Sequence, residues 1–473
     1  MIDKNVKGKP SVMESLLLFL SIVAILIIGI MVLKTDIHVL LILGLCVTCL
    51  VSFRYGYKFD DLLKGMQKSV SRAMVAMVIF ILIGTIIGSW ITAGTVPALI
   101  YYGLKFLNPK FFLPLGLIIC SLTSLATGTS WGTAGTVGIA LMGMGVGLGI
   151  PAPAVAGMVV AGAFFGDKMS PISDTTNLSA VSAGADLYDH IKAMAYTTVP
   201  SYLISIIIYT FIGFKYASGN GNPEDIQMIQ DTLAANFNLN PIVILPMIVL
   251  FTLNLKKVPA VPAMIIGTFT GLLVAVIFQG TSLSSALSSL NYGYTNKTGI
   301  ELVDTLLVRG GIQNMMWTFS LSFIALCLGG VLEEVGYLKA LIEGILSRVK
   351  SVGALVSMVI CTTILGNASM GEIYLGIILN GSLYKEAFKE KGLKPAMLSR
   401  LLEEGGTLTG PLIPWTTAGA FMATTLGVST IKLAPYALLN IINPILSIVL
   451  SFMGIFVLWE NKKVKKPLSK NKA

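Results

Sequence analysis

Between Gly166 and Asn177 the chain reads Gly-Asp-Lys-Met-Ser-Pro-Ile-Ser-Asp-Thr-Thr-Asn, and apolar runs that look membrane-embedded flank it on both sides. The segment is expected to be a broken helix. Asp167, Lys168 and Asp174 each cost about 3 kcal/mol or more in hydrocarbon, so they persist where they line a cavity, pair with one another or bind an ion. A second polar break, Glu403 to Thr417, falls about 240 residues later. Two such breaks in corresponding positions of two halves point to a secondary transporter with its site near the bilayer midplane.

Composition agrees with a polytopic membrane protein. Of the 473 residues 55% are hydrophobic and 12% charged, about half the charged share of an ordinary globular chain. The net charge of +10 does not point to nucleic acid, because the basic residues collect in short loops and in the tail Lys462 to Lys472, where they read as topology signals. The first apolar run, Met13 to Leu33, is too long for a signal-peptide core and ends in Lys34-Thr-Asp, so it is read as a retained anchor. Cys46, Cys49, Cys120, Cys327 and Cys361 lie inside apolar runs and are expected to pack. His38 and His190 are the only histidines and lie at span ends, which disfavours a histidine metal site. Gly143-Met-Gly-Val-Gly-Leu-Gly has the letters of a phosphate loop, but it follows an apolar helix and is read as a close-packing stripe. No cofactor is implied. A membrane enzyme would need a nucleophile with a base or a metal set, and a channel would have no need of broken helices in both halves.

The fold expected is an all-α polytopic membrane protein of two inverted repeats with broken helices and about 12 to 14 crossings. Pro153 to Asp186 and Ala396 to Gly427 each count as one broken crossing. Basic loops at Arg54–Arg72, Lys256–Lys257, Lys339–Lys350 and Lys385–Lys394 are assigned to the cytoplasm, and the acidic loop Ala217–Asn238 to the outside. The organisation is therefore a cytoplasmic N-terminus (1–12), a first repeat (13–214), an external linker (215–239), a second repeat (240–459) and a basic cytoplasmic tail (460–473), within a prokaryotic-type cell membrane. Gln67 and Gly84 match Gln313 and Gly330; Ser130 and Gly132 match Ser369 and Gly371; Pro171 matches Pro411; Lys192 and Tyr196 match Lys432 and Tyr436, at offsets between 239 and 246. Loop charge swaps sign between the copies, as inversion requires.

Each break is preceded by a polar kink, Thr127-Gly-Thr-Ser-Trp-Gly-Thr in the first half and Gly366-Asn-Ala-Ser-Met-Gly-Glu in the second. Each kink is expected to face the breaks across the pseudo-axis. Unwound carbonyls, hydroxyls and carboxylates are hard oxygens suited to a small alkali cation, and sodium fits them better than an organic ligand alone. The candidate ion-binding residues are Asp174, Asp167, Ser173, Thr175, Thr176, Asn177, Thr129, Ser130, Asn367, Ser369, Glu404, Thr409 and Thr416. Asp174 takes the leading role as the carboxylate for which Na⁺ and a proton compete, with an N-cap as its alternative. Lys168 is the candidate internal cation, in reach of Asp174 or Glu404. Glu403 and Thr407 join the second polar set, Glu372 follows the second kink, and Glu333 and Glu334 read as interface residues. Trp131 and Trp415 are candidates to wall or gate the cavity.

The stretch Gly166 to Leu178, together with Ala126-Thr-Gly-Thr-Ser-Trp-Gly-Thr, resembles the NhaC-type sodium/proton antiporters. The resemblance implies inverted repeats and exchange of cytoplasmic Na⁺ for external H⁺, which holds pH and sodium. Some close relatives couple this exchange to organic acids, taking up malate with protons while releasing sodium and lactate, and others carry amino acids. A dicarboxylate carrier would need a fixed cation or two half-helix N-termini for its anion, and Lys168 is the only lysine near the site. The partners implied are Na⁺, H⁺ and the lipid bilayer. A small organic acid and a homodimer stay open.

Overall fold

The computed structural model describes residues 7–106, 108–217, 223–346, 349 and 351–460. Residues 1–6 of the expected cytoplasmic N-terminus, 218–222 of the linker and 461–473 of the basic tail lie outside the described residues. The first half carries α1 (Val12–Met31), α2 (Ile37–Phe53), α3 (Phe59–Arg72), α4 (Met74–Thr92), α5 (Thr95–Phe106), α6 (Pro109–Thr127), α7 (Ser130–Thr133), α8 (Ile139–Gly147), α9 (Ala152–Met169), α10 (Asp174–Ala183) and α11 (Leu187–Ala217). The linker region folds as α12 (Pro223–Asn236). The second half follows with α13 (Leu245–Leu255), α14 (Ala260–Phe278), α15 (Leu283–Tyr292), α16 (Glu301–Leu307), α17 (Ile312–Val335), α18 (Tyr337–Leu346), α19 (Val352–Met370), α20 (Ile373–Glu390), α21 (Pro395–Gly405), α22 (Thr417–Leu426), α23 (Thr430–Leu433) and α24 (Leu438–Phe452).

Among the described residues seven helices are long and apolar enough to cross a membrane, and nine if two bent pairs each count once. The difference from 12 to 14 comes largely from the helices around the breaks. They are short or carry charge, so length and apolarity alone do not identify them as spans.

Helix boundaries repeat at one fixed spacing. Helices begin at 109, 152, 174 and 187 in the first half and at 352, 395, 417 and 430 in the second, each 243 residues on. Two of the stops repeat as well, those of α6 with α19 and of α10 with α22: Gly128 and Gly371 end α6 and α19 in the left-handed conformation, with φ of 70° and 68°. A side chain is strained there, which is why the helix ends at the same point in both halves. This register displaces the letter-based pairings, whose offsets of 239 to 246 all miss 243: Ser130 corresponds to Ile373 rather than Ser369, Lys192 to Pro435 and Tyr196 to Leu439. Pro171 corresponds to Pro414 rather than Pro411, and Gly128 rather than Gly132 corresponds to Gly371.

Small residues set how closely the helices approach. Gly162 and Gly166 are one turn apart on α9 and bring it onto the backbone of α6; a Cβ at Gly166 would lie 2.4 Å from Leu125 N and Ser121 O. The Ser124 hydroxyl then donates to Ala163 O at 2.6 Å across the same contact, the pattern expected where lipid offers helices no hydrophobic drive to associate. The glycine stripe Gly143, Gly145 and Gly147 packs against Ile100, Val155 and Leu104, as close helix packing requires. Gly65 on α3 and Gly330 on α17 meet similarly, a Cβ on Gly330 falling 2.5 Å from Gly65 O. Gly330→Val is expected to cost about 3 kcal/mol through overpacking, read as a lower melting temperature and loss of monodisperse protein in detergent. An unchanged melting curve would show that α3 and α17 can part freely.

Candidate functional site

Helix α9 stops at Met169 because Pro171 brings no backbone donor and disfavours helical geometry at the residue before it. The chain restarts at Asp174, and Ser173 rather than Asp174 is the N-cap, its hydroxyl accepting from Thr176 N. The second half breaks between α21 and α22, where Thr416 is the N-cap and accepts from Gly419 N at 3.0 Å. Thr129 caps α7 in the first kink and Glu372 caps α20 in the second.

Asp167, in the last turn of α9 and 4% exposed, is the centre of the first polar set. One of its oxygens accepts from the Ser173 hydroxyl at 2.6 Å, and the other from the Ser130 hydroxyl at 2.6 Å and Ser130 N at 3.2 Å. The first kink is thus bonded to the break of its own half. The Thr175 hydroxyl lies 3.1 Å from that of Ser173. Thr176 donates to the carbonyls of Asp167 and Lys168 at 3.2 and 2.9 Å, satisfying the end of α9. Asn177 donates to Pro171 O and Ser173 O and holds the turn rather than facing Asp167.

Asp174 sits differently from its expected central role. It is exposed, accepts from Thr175 N at 2.9 Å, and its other oxygen accepts from the Tyr374 hydroxyl of α20 at 2.5 Å. Asp167 and Asp174 nevertheless line one cavity of about 820 Å³, together with Thr129, Ser130, Thr175, Glu372, Tyr374 and Thr407. Arg72 and Lys257 line it too, and both are exposed. The cavity therefore runs from surface cations to a buried carboxylate. Trp131 forms part of its wall and belongs to a three-ring cluster, 4.4 Å from Phe421 and 5.6 Å from Phe80, which are 6.1 Å from each other.

Lys168 turns away from this cavity, as adjacency to Asp167 on a helix requires. Fully buried, its Nζ donates to Asn443 Oδ1 at 3.1 Å and lies 4.0 Å from Glu404 Oε1. Glu404 also accepts from Thr197 at 2.5 Å and faces Arg400 Nε at 3.6 Å. Glu403 accepts from Ser179 of α10 at 3.1 Å. Of the two partners expected for Lys168, the structure selects Glu404 and rejects Asp174.

The remaining second-half candidates form a separate set. The Asn367 amide donates to Gly406 O at 2.7 Å and to the Thr409 hydroxyl at 3.3 Å. Ser369 donates to Leu365 O within its own helix, and Thr416 to Gly410 O at 2.7 Å. Trp415 Nε1 donates to Ala368 O at 2.6 Å, a packing role. Glu333 is paired with Arg72 at 2.7 Å. Sequence reasoning missed Arg400, Asn443, Thr197 and Tyr374. Arg400 lies four residues before Glu404, a spacing that pairs side chains on a helix, and Asn443 interrupts an otherwise apolar stretch. Thr197 and Tyr374 carry no signal of that kind.

The model of the Na⁺/H⁺ antiporter family matches residues 10–186 and 162–455. The chain is 36% identical over 450 residues to the Na⁺/H⁺ antiporter NhaC of Alkalihalophilus pseudofirmus, covering 95% of this chain and 97% of that one. It is 35% identical over 453 residues to the malate-2H⁺/Na⁺-lactate antiporter of Bacillus subtilis, covering 96% and 97%. It is also 35% identical over 455 residues to the arginine/ornithine antiporter ArcD of Halobacterium salinarum, covering 96% and 94%.

Proposed function

Because this chain belongs to the Na⁺/H⁺ antiporter family, we propose that it is a multi-pass secondary transporter that expels cytoplasmic sodium in exchange for protons by alternating access. The observation that carries this reading is Asp167: a buried carboxylate at a cavity wall, with three hydrogen-bond donations fixing both oxygens. A proton and a sodium ion compete for the same oxygens, and competition for one carboxylate is itself an exchange mechanism. Ser130, Ser173 and Thr175 orient that carboxylate or add neutral oxygens, while Asp174 stands nearer the cavity's exposed end and attracts the cation.

Arg72, at the end of α3, and Lys257 lie in basic segments assigned to the cytoplasm by the positive-inside rule, so the cavity they line supports an inward-facing state. Both termini then lie in the cytoplasm. The stacked rings of Phe80, Trp131 and Phe421 tie together α4, the first kink and α22, and form a wall that must rearrange for the site to face outward.

An organic-acid exchanger of the malate/lactate kind is the alternative, and it needs a cation where the anion binds. Lys168 is committed to Glu404 and Asn443, and the cavity's cations are Arg72, already paired with Glu333, and Lys257 at the exposed end. The arrangement favours a cation as the primary cargo. Purified protein in liposomes with a trapped pH dye, given a sodium jump at clamped voltage, is expected to move protons without any organic acid. Movement only when malate and lactate are on opposite sides would instead make the chain an organic-acid exchanger.

A further inference from the structure

The repeat register pairs the two kinks residue by residue. Thr129 and Glu372 hold the same N-cap position, and Asp174 and Thr417 the same first position of the following broken helix, each pair 243 residues apart. The first half thus has a hydroxyl at the cap and an acid on the helix, and the second half an acid at the cap and a hydroxyl on the helix. Glu372 is 3% exposed; Ile373 N donates to one of its oxygens at 3.0 Å and the Thr417 hydroxyl to the other at 2.7 Å.

Capping does not account for this residue. Ser, Thr, Asn and Asp lead at N-caps, and Glu normally serves three positions later. Nor does an ion pair account for it. Among the described residues no Lys, Arg or His lies within 4.0 Å of Asp167, Asp174 or Glu372, whereas Lys168 and Arg72 have carboxylate partners elsewhere. A buried carboxylate at a cavity wall without a fixed cation holds either a proton or a mobile counter-ion. A separate feature points the same way: Thr407, from the second break, is fully buried and lines the same cavity, and its hydroxyl lies beside the Glu403 carboxylate without a hydrogen bond of ordinary geometry.

We propose that Glu372 is a second cation-coordinating carboxylate, and that with the Thr407 hydroxyl it supplies the second half's share of a site whose first-half share is Asp167. The inference rests on the sodium/proton reading above and extends it: the cation is held between the two repeats, so its binding state bears on how they are arranged. Capture of the ion then joins elements that alternating access must move relative to one another.

The test uses the full chain in the same liposome assay, with sodium-dependent thermal stabilisation in detergent as an independent readout of binding. Glu372→Gln keeps the shape, its carbonyl oxygen accepting from Ile373 N while the Thr417 hydroxyl turns to accept from the amide. It is expected to raise the half-saturating sodium concentration about tenfold or more, to shift the pH profile of exchange, and to lose sodium stabilisation. Glu372→Asp is expected to recover part of each. Thr407→Val, which changes no charge, is expected to weaken sodium by a few-fold and leave the pH profile in place, and it decides the matter if Glu372→Gln does not fold. Wild-type sodium dependence and pH profile in Glu372→Gln, or wild-type sodium dependence in Thr407→Val where the Gln variant is unfolded, would overturn the proposal. Absence of exchange in the unaltered protein would instead remove the underlying reading.

Discussion

Asp167→Asn is expected to abolish sodium-driven proton movement while leaving folded protein in the membrane. The carboxylate is buried at the cavity wall with both oxygens occupied by donors. Asparagine keeps its oxygen toward Ser130 N and turns its amide to Ser173, whose hydroxyl can change from donating to accepting, so the local fold survives. What is lost is the charge and the exchangeable proton. Loss of about 3 kcal/mol in cation binding is about a hundredfold in affinity, and without a titrating group no proton returns. Asp174→Asn, at the exposed end, is expected to raise the sodium requirement less than about tenfold, because solvent screens its field. The dye assay compares both variants directly. Activity kept by Asp167→Asn and lost by Asp174→Asn would return the central role to Asp174.

The second large effect concerns stability. Glu404→Gln leaves Lys168, fully buried, without its paired carboxylate, with Asn443 as its acceptor and Glu403 as a more distant charge. Breaking a buried pair from one side costs about 3–5 kcal/mol, whereas replacing both partners is often neutral. Glu404→Gln and Lys168→Met are therefore each expected to lower the melting temperature, and Lys168→Met/Glu404→Gln to recover much of the loss. The recovery is incomplete because Arg400, at 3.6 Å, also depends on Glu404. Additive losses in the double variant would show that the lysine and the glutamate act independently.

The two breaks were legible in the sequence because charge in hydrocarbon is costly enough to stand out against any apolar run. Their stops were legible too, in Pro171 and the glycines, since both act through local backbone geometry. Which aspartate faces the cavity was not. Asp167 and Asp174 are seven residues apart across an irregular turn, and the direction in which α10 leaves that turn is a tertiary matter. The repeat was legible as a similarity of letters with a drifting offset, while the helix starts from α6 to α11 and from α19 to α23 hold one offset. The letters drift because equivalent positions do different work, as Thr129 and Glu372 do. Lys168 was recognised as an internal cation, but its direction depended on Arg400 and Asn443, whose helices come to it through packing.

The burial of Lys168 also bears on how the protein is made. Its hydrogen-bond acceptor Asn443 lies 275 residues later in the chain. At about 5 to 20 residues per second, the ribosome supplies that partner roughly 14 to 55 s after the lysine itself. During that interval a charged residue in a membrane helix lacks the groups that compensate it. The first half is therefore an unfinished object when it leaves the ribosome, and its helices must be sheltered until α21 and α24 arrive. A chain that stops short of Glu404 would leave the lysine permanently uncompensated, and so would mark itself for membrane quality control.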